Sequence, residues 1–390
     1  MGIRSPGRPL LLVPVVLCAL LAGGAARVVQ DQCGPFTDVT PGFCPYVLEL
    51  YYLGVTAGTS ATTFSPDDPL TRGQGAVFIA KGLNQSLARS SRRAALGQWW
   101  TTQSGQALGL TSVGSTPVSV QADGQDVWVL NLVDASLARV RASDGRLLET
   151  WTNCLGIGPR TAVVVAMGRV FTTGDGNLYM MDPSQPAGSA TTVATLVTAS
   201  STSLAFDGEK FWITDATGHL FQVTPSATTP WPVQTVDVPV VGPNDILFDG
   251  SSIWISDQPA ASVLKLNADG SIAATIPVGG TPEGMVFDGA NLWVPVITGN
   301  DGVVVIQAAT GVLLQTLTGN GLVSPLSAAF DGQRILVTNV DGNSVSLWRA
   351  ADLAPLGSIS TLPGAEPRGV ASDGVNFWIA LGATNQLARF

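Results

Sequence analysis

Residues 281–296, TPEGMVFDGANLWVPV, hold a proline entry, an alternating apolar run, an Asp-Gly pair and a second apolar run that carries a tryptophan. The same pattern returns six more times, as TPVSVQADGQDVWVLN, GPRTAVVVAMGRVFTTG, STSLAFDGEKFWITD, GPNDILFDGSSIWISD, SPLSAAFDGQRILVTN and EPRGVASDGVNFWIAL. The turn glycines are Gly124, Gly168, Gly208, Gly250, Gly289, Gly332 and Gly374, spaced 39 to 44 residues apart. A period of this length, with four strand-length segments per copy, is the sequence signature of propeller blades.

Within the fifth copy, GMVFDG reads as the inner strand. Asp288-Gly289 opens the hairpin turn, because both tolerate the positive φ that such turns need. NLWVPVI, GVVVIQAATG and VLLQTLTG follow as the second, third and fourth strands. The tryptophan site recurs as Trp128, Trp212, Trp254, Trp293 and Trp378, with Phe171 and Leu336 in the other two copies. One large side chain at a fixed place in each blade predicts packing between adjacent sheets.

The seventh copy stops at Phe390, short of its fourth strand, while GQALGLTSVGSTP at 105–117 supplies a fourth-strand pattern ahead of the first copy. The N-terminal strand is therefore expected to complete the last blade, which removes two exposed sheet edges. The expected fold is all-β, a seven-bladed β-propeller over residues 99–390 with a small α-helical module before it. The copies resemble the NHL, YVTN and streptogramin-lyase-like group of propellers over roughly 105–390. That likeness implies a fold and leaves activity open.

Composition agrees with many short strands and tight turns: 44 glycines and 25 prolines in 390 residues, 45% hydrophobic and 12% charged. Arg4 and Arg8, the apolar run from Leu10 to Ala22 and the small residues Gly24-Ala25-Ala26 read as a secretory signal peptide over residues 1–26. Leu17 stands where a lipidated Cys18 would need a small residue, so Cys18 reads as part of the apolar run. No other stretch approaches the ~18 apolar residues of a membrane span. The expectation is a secreted protein, extracellular or associated with the cell wall.

Beyond residue 26 the chain carries 17 basic and 28 acidic residues, a net charge of about −11. That balance repels phosphate backbones and excludes nucleic acid as a partner. In an oxidising compartment Cys33 and Cys44, close in sequence, are expected to form a disulfide at the entry to the N-terminal module, leaving Cys154 as a buried thiol or, alternatively, as one half of an intermolecular bridge.

Residues 27–83 form that module. Pro45 to Leu53 has helical spacing ending at Gly54, and Thr71 caps a second helix through Leu83. Phe36, Asp38, Gly54-Val55-Thr56-Ala57-Gly58, Phe64, Pro66 and Leu70-Thr71-Arg72 together resemble an S-layer homology (SLH) motif. The resemblance implies noncovalent association with cell-wall polysaccharide, with Asp38, Thr71 and Arg72 as the corresponding site residues. This chain has Thr71-Arg72-Gly73-Gln74 where the family has Thr-Arg-Ala-Glu, and one motif where the family usually has three. Residues 84–98, polar and basic, read as a linker to the propeller.

Propeller geometry limits where a site can form. The blade-to-blade connections and the loops between second and third strands share one face, and the Asp-Gly turns lie on the other. After the entry proline come Val118, Arg160, Thr202, Asn244, Glu283, Leu326 and Arg368, expected to ring the channel mouth. Arg160, Asn244, Glu283 and Arg368 are the candidate ligand residues there, suited to a sugar or a peptide carboxylate. Asn131, Asp215, Asp257 and Asn339, three residues after the tryptophan site, are of the type that binds the backbone of the following loop, with a calcium or ligand role as the sharper reading.

Catalysis has little to stand on. The chain has one histidine, His219, which excludes a His-rich zinc site or a paired-histidine acid–base site within one chain. No nucleophile elbow, P-loop or haem-attachment motif occurs, and no cofactor is implied. Sequence thus favours a binding scaffold displayed at the surface, for a protein or a glycan. The alternatives are a secreted lyase or hydrolase working at the channel mouth and a self-assembling surface subunit.

Overall fold

The computed structural model describes residues 33, 35–40, 43–52, 55–88, 109–152, 162–197, 201–297 and 301–390. The signal-peptide reading of residues 1–26, Cys154 and Arg160 lie outside them. The chain divides into two compact units at residues 89/90. Among the described residues no helix is long and apolar enough to cross a membrane.

The first unit is a small helical module. Helix α1 spans Cys44–Tyr52 and α2 spans Arg72–Ala88. Cys33 and Cys44 are joined as a disulfide, with Cα atoms 5.4 Å apart. Phe36 packs edge-on against Tyr51 and beside Phe64 over Cys33 and Val47. The second helix runs past Leu83, so residues 84–88 are helix rather than linker. Polarity suggested a linker, but Gln85, Leu87 and Ala88 are good helix formers and no proline or glycine intervenes.

The second unit is a ring of seven sheets. First strands of successive blades lie side by side at the centre, as Pro117–Ala122 does against Pro367–Ser372. The last blade takes its outermost strand from the other end of the propeller: Gly109–Ser112 pairs antiparallel with Gln386–Arg389, Gly109 opposite Arg389 and Ser112 opposite Gln386. The N-terminal strand thus closes the ring. In blade 5 the first strand is split into Thr281–Pro282 and Val286–Phe287. There the amide of Gly284 bonds Leu326 O of blade 6 at 2.9 Å, and that of Met285 bonds Asp245 of blade 4 at 2.8 Å.

The tryptophan site sits between blades throughout. Trp293 packs with Ala328, Ile335 and Val337 of blade 6, Trp254 with Leu292 and Val294 of blade 5, and Trp378 with Val120, Val127 and Val129 of blade 1. Phe171 meets Phe211 and Ile213 of blade 3, and Leu336 meets Val370 and Phe377 of blade 7. These five side chains, and Trp128 and Trp212 at the same site, are fully buried.

The Asp-Gly turns act differently from the expectation. Only the glycine has positive φ, +98° at Gly289, and the loop is four residues long. Asp288 instead accepts the amides of Ala290 and Asn291 on one oxygen, at 2.8 and 2.7 Å, and the Trp293 indole N–H on the other, at 2.7 Å. The same tie joins Asp123 to Trp128, Asp207 to Trp212, Asp249 to Trp254 and Asp373 to Trp378. Burial pushes the Asp249 carboxyl up, but the Trp254 indole and the Ser252 and Ser251 donors outweigh it and hold the group below its usual value. Blade 2 lacks both partners: Met167-Gly168 makes a two-residue turn and Phe171 fills the ring site. In blade 6, Arg334 takes the place of the indole on Asp331, at 2.7 Å.

The outer edges are managed by bulges. The third and fourth strands change register in blades 1, 2, 4, 5 and 6, leaving Leu148, Val193, Ala273, Leu314 and Leu356 without a partner in the ladder. A bulge bends an edge away from further pairing.

At the centre, small side chains let the first strands approach. A Cβ placed on Gly369 would lie 2.5 Å from the Val118 carbonyl oxygen and 2.8 Å from Ser119 Cα. Backbone cannot yield there without moving the blade 7 to blade 1 contact. Gly369→Ala is expected to cost about 1–3 kcal/mol, the range for overpacking, read as a lower thermal midpoint; an unchanged midpoint would show that the centre is loosely packed.

Candidate functional site

Entry prolines and strand ends bring the blade connections and the second-to-third strand loops onto one face. The link is visible in repeated bonds from the amide just after the second strand to the carbonyl just before the first: Leu132 to Thr116, Gln258 to Gly242, Val340 to Ser324 and Gly382 to Glu366, at 2.9 to 3.1 Å. Side chains from the preceding blade add to this. Asn385 accepts the Thr116 amide, Asn343 the Glu366 amide and Asp301 the Ser324 amide, at 2.9, 3.0 and 2.6 Å. Thr116, Ser324 and Glu366 all have positive φ, so these bonds hold a backbone shape that the residues do not favour alone.

Glu283 is the centre of a polar cluster at the blade entries. It is buried, 5% exposed, where a solvated rim would leave it open. Asn244 Nδ2 donates to one carboxylate oxygen at 2.9 Å and Gln258 Nε2 to the other at 2.8 Å. One carboxylate thus ties the entries of blades 4 and 5 to the exit of a second strand in blade 4. The neighbouring Asp245, half-buried, accepts from Ser203 Oγ at 3.0 Å and Met285 N at 2.8 Å, joining blades 3, 4 and 5. Burial raises its carboxyl above the usual value against the pull of the Met285 amide and Ser203 hydroxyl.

Of the four residues expected to act together, the three that are described do not all converge. Asn244 and Glu283 meet, whereas Arg368 pairs with Glu366 of its own connection at 2.9 Å. Arg160 lies outside the described residues. Thr202 is buried and shares a bond with Thr214. Gln258 and Asp245 were not singled out from sequence. Gln258 follows the buried Asp257 by one residue, and only the fold shows that its amide reaches the next blade.

Asn131, Asp215, Asp257 and Asn339 are all buried and engaged. Asp257 accepts the amides of Val241 and Gly242 at 2.9 and 3.0 Å, and Asp215 those of Thr217 and His219 at 3.0 and 2.8 Å. Asn131 and Asn339 donate to Ser136 and Ser344, both at 3.1 Å. Only Asp215 holds the backbone of the loop that follows it; Asp257 holds the connection that precedes its blade, and the two asparagines bond serine side chains of the third strand. Among the described residues no group of three or more His, Cys, Asp or Glu side chains is placed to hold a metal ion.

In the module, Asp38 bridges two amides, Phe64 N at 2.8 Å and Ser65 N at 2.7 Å, across the loop between the helices. The Phe64 amide is the main cause that holds its carboxyl below the usual value. A depressed carboxylate contributes stability that is present above the unfolded value, about 3.9, and is lost as pH falls through the lower folded value. Acid below about pH 4 should loosen the Asp38–Phe64 link, seen as a falling protection factor at the Phe64 amide once the intrinsic exchange rate is divided out, and Asp38→Asn should remove that pH dependence. Retention of the dependence in the variant would assign it to another group.

Thr71 and Gln74 form a reciprocal cap on α2. Thr71 Oγ1 accepts the Gln74 amide at 3.2 Å, and Gln74 Oε1 accepts the Thr71 amide at 2.9 Å. Gln74 therefore does the capping work of the glutamate it replaces. Arg72 is exposed beside it, and Phe43, Tyr46, Leu70, Val77 and Ile79 present apolar surface.

Residues 35–76 match the S-layer homology domain. Over 78 residues, 19% of the chain, the sequence is 37% identical to an endoglucanase of Bacillus sp. (strain KSM-635), and the match covers 8% of that enzyme's length. Solved structures of similar fold include the streptogramin B lyase structure, with TM-score 0.60 and 17% identity over 74% of this chain and 99% of that one. Hydrazine synthase of Kuenenia stuttgartiensis gives TM-score 0.59 and 13% identity over 74% and 98%. At such identities the likeness is one of fold.

Proposed function

We propose that the protein is exported and held at the cell surface by its S-layer homology module, which associates with cell-wall polysaccharide, while the propeller offers its entry face to a protein or glycan. The match at residues 35–76 carries this reading. The intact helix cap at Thr71 supports it, because the departure at Gln74 keeps the local geometry. Arg72, exposed at the start of that helix, is the residue we assign to polysaccharide. Thr71 is engaged in the cap and Asp38 in the loop, so both act by shaping the surface.

The hydrolase or lyase reading would put a site at the channel mouth around Glu283, Arg160 and Arg368. Glu283 is buried under two amide donors and Arg368 is paired with Glu366, contacts that favour a structural clamp.

The test is sedimentation of the mature chain with isolated cell-wall sacculi, with and without residues 27–97. Retention that disappears with the deletion supports anchoring through the module. Equal retention of both forms would move wall recognition to the propeller, and retention of neither would end the wall reading.

A further inference from the structure

The one histidine of the chain is held in a defined state. His219 lies between the second and third strands of blade 3, about half exposed, its ring stacked on Phe221 with centroids 5.9 Å apart. Its Nδ1 is 3.0 Å from Asp215 Oδ2 and 2.8 Å from Thr217 Oγ1. Asp215 is fully buried, and its Oδ1 already accepts the Thr217 and His219 amides. The Thr217 hydroxyl sits 2.9 and 2.8 Å from the two carboxylate oxygens, so its proton goes to Asp215. Both neighbours then turn lone pairs toward Nδ1, and only an N–H there satisfies them. In the neutral ring the lone pair is on Nε2, which no described residue bonds.

Position gives this acceptor a setting. A side chain on Gly218 would collide with the Val240 carbonyl, so the His219 loop lies against the connection into blade 4. Two residues on, Gly242 O accepts the Gln258 amide, and Gln258 reaches Glu283. His219, Gln258, Asn244 and Glu283 therefore lie along one continuous run of loops over blades 3 to 5. The basic residues of those blades, Lys210 and Lys265, lie toward the opposite face, Lys210 in an Asp-Gly turn and Lys265 against Trp254 and Ala308 O. An anion finds no cation in this run, and the chain as a whole is acidic.

We propose that His219 is the hydrogen-bond acceptor of a ligand site on the entry face, taking a neutral, hydroxyl-rich glycan that donates an O–H to Nε2. The proposal rests on the reading that this face of the propeller binds a ligand, and it is independent of how the module meets the wall. Asp215 and Thr217 are positioning residues, since they act by fixing the ring.

A single histidine makes the test direct. The mature chain, residues 27–390, is labelled with ¹⁵N-histidine and observed at pH 8, above the ordinary histidine range near 6.5. The spectrum should show one ring with Nδ1 protonated and Nε2 bare. Neutral cello-, xylo- and chito-oligosaccharides are then added at millimolar concentration. At least one should move the Nε2 resonance well beyond Nδ1, and His219→Phe should lower the affinity for that sugar about tenfold. An Nε2–H ring in the free protein overturns the proposal, as does an Nε2 resonance that none of the sugars moves. Failure of the sacculus experiment alone would leave this result standing, because the sugars are read at the propeller.

Discussion

Trp293→Ala should lower the stability of the propeller by about 3–5 kcal/mol, the range for removing a buried aromatic side chain. The indole is fully buried against Ala328, Ile335 and Val337 of the next blade, so alanine leaves a cavity in an interface between two sheets. It also leaves Asp288 without the indole N–H. At roughly 2 °C per kcal/mol for a domain somewhat above 250 residues, the thermal midpoint should fall by about 6–10 °C. Trp293→Phe separates the two contributions. It keeps most of the buried surface and loses the indole bond, and should cost about 1 kcal/mol. A Trp293→Ala midpoint equal to wild type would contradict the interface placement of the ring.

The asymmetry between those variants explains what could be read from the sequence. A fully buried ring repeats because each blade must fill the same space against its neighbour, so Trp128, Trp212, Trp254, Trp293 and Trp378 mark the fold openly. The aspartate five residues earlier repeats for a second reason. Its carboxylate closes the turn and fixes the indole, as the short bonds from Trp212 and Trp254 show. The sequence carried this signal too, since the copy that lacks the aspartate, at Met167, lacks the tryptophan as well. Turn propensity alone pointed to positive φ at the aspartate, which the four-residue loop does not require.

The channel mouth was legible only as a list. Counting along each blade entry lists seven positions, but not which side chains reach one another. Glu283 met Asn244 as neighbours in that list, whereas its second partner, Gln258, comes from a different loop. Arg368 has a carboxylate two residues away, and that local pairing wins over any contact across the channel. For His219, nothing in DATGHLF announces that Asp215 is buried and turned back upon the ring.

Closure of the ring is where the second large effect is expected. Deleting residues 99–115 should destabilise the whole propeller by about 4 kcal/mol or more, because the backbone ladder from Gly109 to Ser112 contributes on the order of 1 kcal/mol per bond. The loss extends past the ladder. Thr111 Oγ1 donates to Gly145 O of blade 1 at 2.6 Å and the Val113 amide to Asn385 O at 3.1 Å, so the same short segment fastens blade 7 to blade 1. Without it, Gln386–Arg389 becomes an open edge, and the two ends of the ring keep only their first-strand contact and the packing of Trp378 on Val120, Val127 and Val129. Tryptophan fluorescence on heating should then show a transition that is both lower and broader than that of the intact chain. Adding a peptide of residues 105–117 should restore the midpoint in a concentration-dependent way, since a strand bound only by the folded ring stabilises it by mass action. A small drop with a sharp transition, unaffected by the peptide, would reduce the segment to a tail and leave the ring held by blade packing alone.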